Sequence, residues 1–211
     1  MKNTIFSRIT TLVFCAAISI FAFAADSLAQ STKSGNVKTT IVKVTNIAGT
    51  AVIPQAGGLM ARNNDGVYGT ISTSSLTPGS VVTHWIAIFN NPEYCVNPTC
   101  AASDFNTPAV NGSLQFGGGY IVGLNGKAEF AFYLDEGDNT GFYLNPAFPN
   151  LPNPAPGIVD TKHAQIHMSI RTHGAASADP VILNQQLTSF TGNCSAMPSP
   201  CATIQAAVFN P

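Results

Sequence analysis

Apolar and polar residues alternate with a period of two along much of this chain, as in β-strands whose side chains point to opposite faces of a sheet. Residues 81–89, VVTHWIAIF, instead form a nearly continuous apolar run, which predicts a strand buried on both faces. The predicted strands cover residues 37–45, 67–72, 81–89, the two halves of 120–134, 163–173 and 203–209.

Glycine and proline mark the connections between these strands. Asn125-Gly126 predicts a tight turn between two β-type runs, and Gly117-Gly118-Gly119 predicts a bulge or a close backbone approach. The prolines of residues 141–157 predict an extended loop. Asp179-Pro180 predicts the N-cap and first position of a single helix over residues 181–190. Together these elements predict an all-β fold, an antiparallel β-sandwich or barrel with a long Pro-rich loop and one short helix.

The first residues have the pattern of a secretory signal peptide. Lys2 and Arg8 precede an apolar run over residues 11–24, and small residues follow it. The run is shorter than the roughly 20 apolar residues of a membrane span. We predict a signal peptide over residues 1–29, a flexible lead-in over 30–36, and a single β-sandwich domain over 37–211. The mature protein is then secreted or periplasmic, with no membrane span.

The charge composition narrows the range of partners. Charged residues make up 9% of the chain, against roughly 25% in an average soluble domain, and the formal net charge is −1. No basic patch is visible, so nucleic acid is excluded as an expected partner. A small molecule or a component of the cell envelope is the expected partner.

Four cysteines lie in the predicted mature chain, within the segments CVNPTC and CSAMPSPC. An even number of cysteines in an oxidising compartment indicates disulfides, and the local spacing favours Cys95–Cys100 and Cys194–Cys201. Cross-pairing between the two segments is the structural alternative. A four-thiolate zinc site is the functional one.

Three of the four histidines lie in residues 163–173, where the alternation is strict. One face of this predicted strand carries His163, Gln165, His167, Ser169, Arg171 and His173. Residues four apart in a strand are separated by about 13 Å, so this strand cannot chelate one metal ion by itself. The polar face is expected to be a solvated outer face of the sheet. The alternative is a ligand-binding surface made by His163, His167, Arg171 and His173.

The fourth histidine, His84, lies inside the apolar strand beside Trp85. We expect a core histidine whose ring nitrogens are hydrogen-bonded. The alternative is a copper or zinc site in which strand 81–89 neighbours strand 163–173 and His84 faces His167 or His163. A carboxylate from Asp135, Glu136 or Asp160 would complete that ligand set. Otherwise no cofactor is expected.

Catalytic motifs are scarce. The chain has no G-x-S-x-G nucleophile motif and no glycine-rich phosphate loop before a helix. The acidic segment LDEGDN, residues 134–139, resembles a solvated turn after a strand. Its alternatives are a carboxylate pair for glycoside hydrolysis or a calcium loop. We therefore favour a non-enzymatic binding or structural domain, with a metal-binding protein and a secreted hydrolase as the alternatives.

Three segments carry a resemblance to known proteins: IFNNPEYC (88–95), IHMSIRTHG (166–174) and CATIQAAVF (201–209). Over about residues 80–209 the chain resembles a family of exported bacterial β-rich proteins of unknown function. It also has a fainter likeness to the CHRD (chordin-type) β-domain, which has a histidine-bearing strand. These resemblances imply an exported β-domain and assign no role to any residue.

Overall fold

The computed structural model describes residues 37–140, 148–192, 194 and 201–211. The predicted signal peptide and lead-in therefore lie outside the described residues, as does the first part of the predicted Pro-rich loop. The later part of that loop, from residue 148 to 157, contains neither helix nor strand, as predicted.

Eight strands form one sheet in which every neighbouring pair is antiparallel, so the predicted all-β fold is confirmed. The strands are β1 (Lys38–Asn46), β2 (Val52–Arg62), β3 (Gly66–Thr73), β4 (Ser80–Phe89), β5 (Gly112–Ile121), β6 (Ala128–Asp135), β7 (Gln165–Ala175) and β8 (Ala202–Phe209). Their order across the sheet is β5-β4-β7-β8-β1-β2-β3-β6. The sheet curls into a nearly closed barrel, and Tyr120 of β5 meets Phe130 of β6 with 6.5 Å between ring centroids.

Strand β4 is buried over its whole length, as its apolar run predicts. Its inward side chains, among them Ile86 and Ile88, belong to the core that fills the barrel. Its outward side chains, among them Trp85 and Phe89, belong to a second apolar layer outside the sheet. The predicted two-sided burial of this strand therefore comes from two separate cores.

The second layer is covered by short elements. Three 3₁₀ turns lie between β4 and β5: Pro92–Tyr94, Ala102–Asn106 and Pro108–Val110. Helix α1 (Pro180–Thr188) follows β7, and the Asp179 carboxylate accepts the amides of Val181 and Ile182, which confirms the predicted N-cap. None of the helices among the described residues has the length and apolarity required to cross a bilayer.

The three consecutive glycines of β5 lie at the predicted bulge and close approach. The register between β4 and β5 shifts between His84 and Trp85, and Gly118 has φ +132°. A Cβ at Gly117 would collide with the ring of His84, and a Cβ at Gly119 would collide with the carbonyl of Leu187 in α1. Only glycine lets the helix and the histidine come this close to the strand.

Three features of the sheet differ from the sequence prediction. The strand predicted to begin at Tyr120 begins at Gly112 instead and ends at Ile121. Strand β2 lies in a segment for which no strand was predicted. The Asn125-Gly126 turn does connect β5 to β6, and Gly126 has φ +63°. However, these two strands stand at opposite ends of the sheet order instead of pairing with each other.

Candidate ligand-binding site

A cavity of about 500 Å³ lies on the outer face of the sheet, over the middle of β4, β7 and β8. We call it the outer cavity. Most of its wall is apolar and includes Ala87, Phe89, Phe105, Leu114, Phe148 and Phe190. The rings hold each other in place, with 4.7 Å between the centroids of Phe89 and Phe105 and 5.1 Å between those of Phe105 and Phe148.

His167 contributes the imidazole in this wall. It lies opposite Ala87 of β4 and Val208 of β8, so its side chain points outward into the cavity. Its ring centroid is 5.0 Å from that of Phe89. Burial penalises the charged imidazolium and lowers the pKa of His167 to about 4. The ring is therefore neutral at pH 7.

Gln165 determines which nitrogen of His167 carries the proton. The Gln165 amide oxygen accepts the backbone N–H of Cys100 at 2.7 Å, and its NH₂ group donates to Pro98 O and Asn210 Oδ1. Nε2 of His167 lies 2.9 Å from the same amide oxygen, so Nε2 must be the donor. The other nitrogen, Nδ1, is then an acceptor, and it makes no hydrogen bond to any residue that the structure describes.

Ser169 adds a second polar group to the wall. Its hydroxyl donates to the carbonyl of Trp85 at 3.3 Å, which leaves the hydroxyl oxygen as an acceptor. Thus His167 and Ser169 present acceptors two residues apart on the same face of β7. A ligand in the outer cavity could satisfy them with a hydroxyl or an N–H group.

His173 belongs to a separate, buried network. Its Nε2 lies 2.8 Å from Oγ1 of Thr83, which also accepts the indole N–H of Trp85 at 2.8 Å. Its Nδ1 lies 3.1 Å from Sγ of Cys201. Burial and the nearby charge of Arg171 lower the pKa of His173 to about 4.

The other two residues of the predicted ligand-binding set have local partners. His163 lies in the turn before β7 instead of in the strand, and its exposed ring is 3.0 Å from the Glu93 carboxylate. Arg171 donates through Nε to the carbonyl of Phe190 at 2.8 Å, and its guanidinium lies 4.3 Å from the centre of that ring. The structure therefore does not gather His163, His167, Arg171 and His173 into one site.

The prediction that the polar face of β7 is exposed to solvent is wrong, although the residues were correctly assigned to that face. His173 and Gln165 are each 1% exposed, because the 3₁₀ turns, Phe148 and Phe190 cover the outer face of the sheet. Polar residues on a strand can face a second protein layer instead of water when their hydrogen bonds are satisfied there.

The predicted metal site of His84 and His167 is also contradicted. Strands β4 and β7 are neighbours, as that hypothesis requires, but His84 lies opposite Ile170 and His167 lies opposite Ala87. Opposed residues of an antiparallel pair share a face, so His84 points into the barrel and His167 points out of it. His84 is fully buried, but its ring nitrogens find no well-formed partner among the described residues, contrary to the expected hydrogen-bonded core histidine.

Two clusters of ligand-type side chains do occur in the described part of the chain. One is His173 with Cys194 and Cys201, and the other is Asp104 with Cys95 and Cys100. In both clusters the cysteines are joined in the predicted local disulfide. Sulfur atoms bonded to each other are not thiolate ligands, so neither cluster is a metal site while its disulfide is formed.

The acidic segment after β6 has structural partners. The Glu136 carboxylate accepts the backbone N–H of Thr161 at 2.9 Å, and that of Asp138 accepts the backbone N–H of Thr140 at 2.8 Å. None of the three carboxylates of this segment lines the outer cavity. Hydrolysis by a carboxylate pair therefore finds no support in the cavity.

Sequence reasoning identified His167 but missed most of what surrounds it. Phe148 and Phe190 lie outside the predicted strands, where no periodicity indicates their direction. Gln165 was placed on the correct face, but its partners Cys100 and Asn210 are distant in the sequence. The one available signal was the outward-facing Trp85 and Phe89 of a doubly buried strand, which require a second apolar layer.

A scan of protein-family models and a search of curated proteins found no match to this chain. The protein class therefore rests on the fold itself. The residues that the structure describes form an all-β barrel-like domain with two local disulfides.

Proposed function

We propose that this protein is an exported, non-catalytic binding domain that takes up a small apolar ligand in the outer cavity. The observation that carries the proposal is a preformed apolar cavity of about 500 Å³ with the Nδ1 acceptor of His167 in its wall. Ligand sites of soluble proteins are typically mostly apolar clefts of about 300–1,000 Å³ with a few placed polar groups.

The polar groups of the cavity define the ligand class. His167 and Ser169 offer acceptors, three threonines (Thr45, Thr99 and Thr203) add hydroxyl groups, and most of the remaining wall is aliphatic or aromatic. The ligand is therefore an apolar molecule with a hydroxyl or N–H donor.

Two observations support an exported location. Both disulfides are formed, and disulfides persist mainly in oxidising compartments. The predicted signal peptide over residues 1–29 points to the same place. We therefore propose that the ligand is met in the periplasm or outside the cell.

A pair of probes that differ only in the donor tests this proposal. 2-Naphthol has an apolar body and one hydroxyl donor, and 2-methoxynaphthalene lacks the donor. We expect equilibrium dialysis at pH 7 to show about fivefold tighter binding of 2-naphthol, since one hydrogen bond contributes about 1 kcal/mol. The His167→Phe variant keeps an apolar wall and leaves Ser169 as the remaining acceptor of the pair, so it should lose most of the preference for 2-naphthol.

Two controls locate the binding. Ala87→Leu fills the cavity beside His167 and should lower the affinity for both probes. His163→Gln lies outside the cavity and should leave both affinities unchanged. The preference for 2-naphthol should also shrink as the pH falls from 7 towards 5, because a growing fraction of Nδ1 is then protonated. Failure of the wild-type protein to bind either probe saturably, or binding that Ala87→Leu leaves intact, would refute the proposal.

A further inference from the structure

The two disulfides differ in the ionisable side chain that lies beside them. Cys194–Cys201 lies beside the imidazole of His173, and both of its cysteines are half-buried. Cys95–Cys100 lies beside the carboxylate of Asp104, whose oxygen is within 4.8 Å of both sulfur atoms. A hydrogen-bond donor stabilises a thiolate, and a carboxylate opposes one.

The proton on His173 can be assigned from its neighbours. The indole N–H of Trp85 only donates, so Oγ1 of Thr83 is its acceptor. The single hydroxyl proton of Thr83 then has Nε2 of His173 as its acceptor at 2.8 Å. The ring proton therefore sits on Nδ1 and points at Sγ of Cys201, 3.1 Å away. In this arrangement every proton of the network has an acceptor.

The environment keeps His173 neutral while leaving a positive charge nearby. Burial and Arg171 lower the pKa of His173 to about 4, so Nδ1–H is a neutral donor at pH 7. Arg171 itself remains charged, although burial lowers its pKa. Nδ1–H of His173 favours a negative charge on the Cys201 sulfur, whereas the carbonyl oxygen of Thr191, 3.1 Å from the same sulfur, opposes one.

The second disulfide lacks these features. Asp104 is 1% exposed, and its two carboxylate oxygens accept the backbone amides of Val96 and Ala101, at 3.2 Å and 2.7 Å. The carboxylate is therefore fixed next to Cys95 and Cys100 by the fold. Its charge disfavours thiolates at both cysteines.

We propose that Cys194–Cys201 is a thiol-exchange site, reduced by dithiols while Cys95–Cys100 stays intact, and that His173 is the residue that stabilises the Cys201 thiolate. This site is separate from the outer-cavity proposal and does not depend on it.

The exchange needs only a dithiol as co-reactant. A thiolate of the dithiol attacks Sγ of Cys194, a new S–S bond forms, and the electron pair of the Cys194–Cys201 bond goes to Sγ of Cys201. The second sulfur of the dithiol then displaces Cys194 and closes its own disulfide. The two protons of the dithiol end on the two protein thiols. The protein disulfide is reduced and the dithiol is oxidised.

Two nearly isosteric variants test the role of His173. In His173→Asn the side-chain NH₂ can take the place of Nδ1–H, whereas His173→Leu has no donor. Each folded protein is equilibrated with mixtures of reduced and oxidised dithiothreitol, quenched with acid and alkylated, and each cysteine is quantified by mass spectrometry. In the wild type, we expect Cys194–Cys201 to be reduced under milder conditions than Cys95–Cys100.

The two variants should differ in how readily Cys194–Cys201 is reduced. His173→Leu should lower the equilibrium constant for reducing Cys194–Cys201 about tenfold, or about 30 mV in potential, and His173→Asn should largely retain it. Cys95–Cys100 serves as the internal control and should not change. If His173 only supports the loop structurally, both variants should loosen the loop and make the disulfide easier to reduce. Easier reduction in both variants would overturn the proposal. So would an unchanged equilibrium constant in His173→Leu, or equal reducibility of the two disulfides in the wild type.

A measurement on the reduced wild-type protein covers the case in which a variant fails to fold. The rate of alkylation is followed against pH for each cysteine. We expect the thiol pKa of Cys201 to lie below the ordinary value of about 8.5 and that of Cys95 and Cys100 to lie above it. A Cys201 pKa at or above those of Cys95 and Cys100 would contradict the assigned role of His173.

Discussion

His84 is the clearest case of a side chain that the fold does not satisfy. Its imidazole is fully buried inside the barrel, with its ring centroid 5.2 Å from that of Phe130 and 6.1 Å from that of Phe132. The backbone of Gly117 approaches the ring and slightly favours its charged form, but neither ring nitrogen has a well-formed hydrogen bond to a described residue. Desolvation lowers the pKa of His84 to about 3, so the ring is buried as a neutral group.

Replacing this imidazole with an apolar side chain should therefore stabilise the protein. A buried polar group without a partner costs about 1–3 kcal/mol. We expect His84→Leu to raise the free energy of unfolding by about 1 kcal/mol, measured by urea denaturation at pH 7. The matched control is His167→Leu, which removes a hydrogen bond to Gln165 and should bring no gain. A clear loss of stability at position 84 would show that buried water or another group satisfies the ring.

The direction of each histidine could be predicted only within its own strand. Alternation along residues 163–173 correctly placed His167 and His173 on one face and Ile170 on the other. The relation of His84 to His167 depends instead on the register between β4 and β7, and a shift of one residue would reverse it. Local sequence patterns carry no information about a register between strands so far apart in the chain.

At the scale of elements, β2 shows why propensity alone misses a strand. The segment contains Pro54, Gly57 and Gly58, which are all disfavoured in strands. Gly58 is needed there, because a Cβ would collide with Ala207 and with the ring of Phe209. The strand exists because it pairs with β1 and β3 on its two sides, and this tertiary effect overrides its composition.

The Asn125-Gly126 dipeptide correctly predicted a tight turn, but it did not predict which strands pair with each other. The positive φ of Gly126 fits a tight turn, as predicted. However, β5 pairs with β4 and β6 pairs with β3. A turn residue specifies local backbone geometry, whereas the choice of partner strand depends on the side chains buried along the whole strand.

The end of β2 is fixed to two other strands through Arg62. This guanidinium is 2% exposed and donates to the carbonyls of Thr161, Ala164 and Phe209, at 3.1, 2.6 and 3.2 Å. Burial lowers the pKa of Arg62 to about 10, so the group remains charged at pH 7. The side chain thereby joins the end of β2 to the residues before β7 and at the end of β8.

Removing this cation should open that end of the barrel. Arg62→Met leaves three carbonyls without their donor, so we expect the free energy of unfolding to fall by about 3 kcal/mol. Lys38, its exposed partner in the β1–β2 register, is the control, and Lys38→Met should change stability by less than about 0.5 kcal/mol. Urea denaturation at pH 7 measures both. A loss below about 1 kcal/mol for Arg62→Met would mean that water replaces the guanidinium without cost.

At the scale of the whole molecule, two apolar layers share one sheet. The fold class followed from the sequence because seven predicted short strands and one predicted helix leave only a sandwich or a barrel. The outer layer could not be predicted in detail, because Phe105, Phe148 and Phe190 lie in irregular segments. This layer covers the polar face of β7 and keeps His167 and His173 neutral, whereas the core of the barrel keeps His84 neutral.

These three histidines predict how stability depends on pH. Their pKa values in the folded protein are about 3, 4 and 4, below the ordinary value of about 6.5. The unfolded chain therefore binds more protons than the folded protein between pH 6.5 and 4. The contribution of these histidines to the free energy of unfolding is therefore complete above pH 6.5 and is lost as the pH falls from 6.5 towards 4.

Urea denaturation between pH 7.5 and 5, above the range in which most carboxylates titrate, should show this loss. Each histidine contributes up to about 1.4 kcal/mol per pH unit, so near pH 5 the three together give a slope of up to about 4 kcal/mol per unit. The His84→Leu variant should lose about one third of that slope, because it has one proton fewer to bind on unfolding. A constant free energy of unfolding across this range would mean that the buried rings are protonated in the folded state, and the neutral tautomers assigned to His167 and His173 would then be wrong.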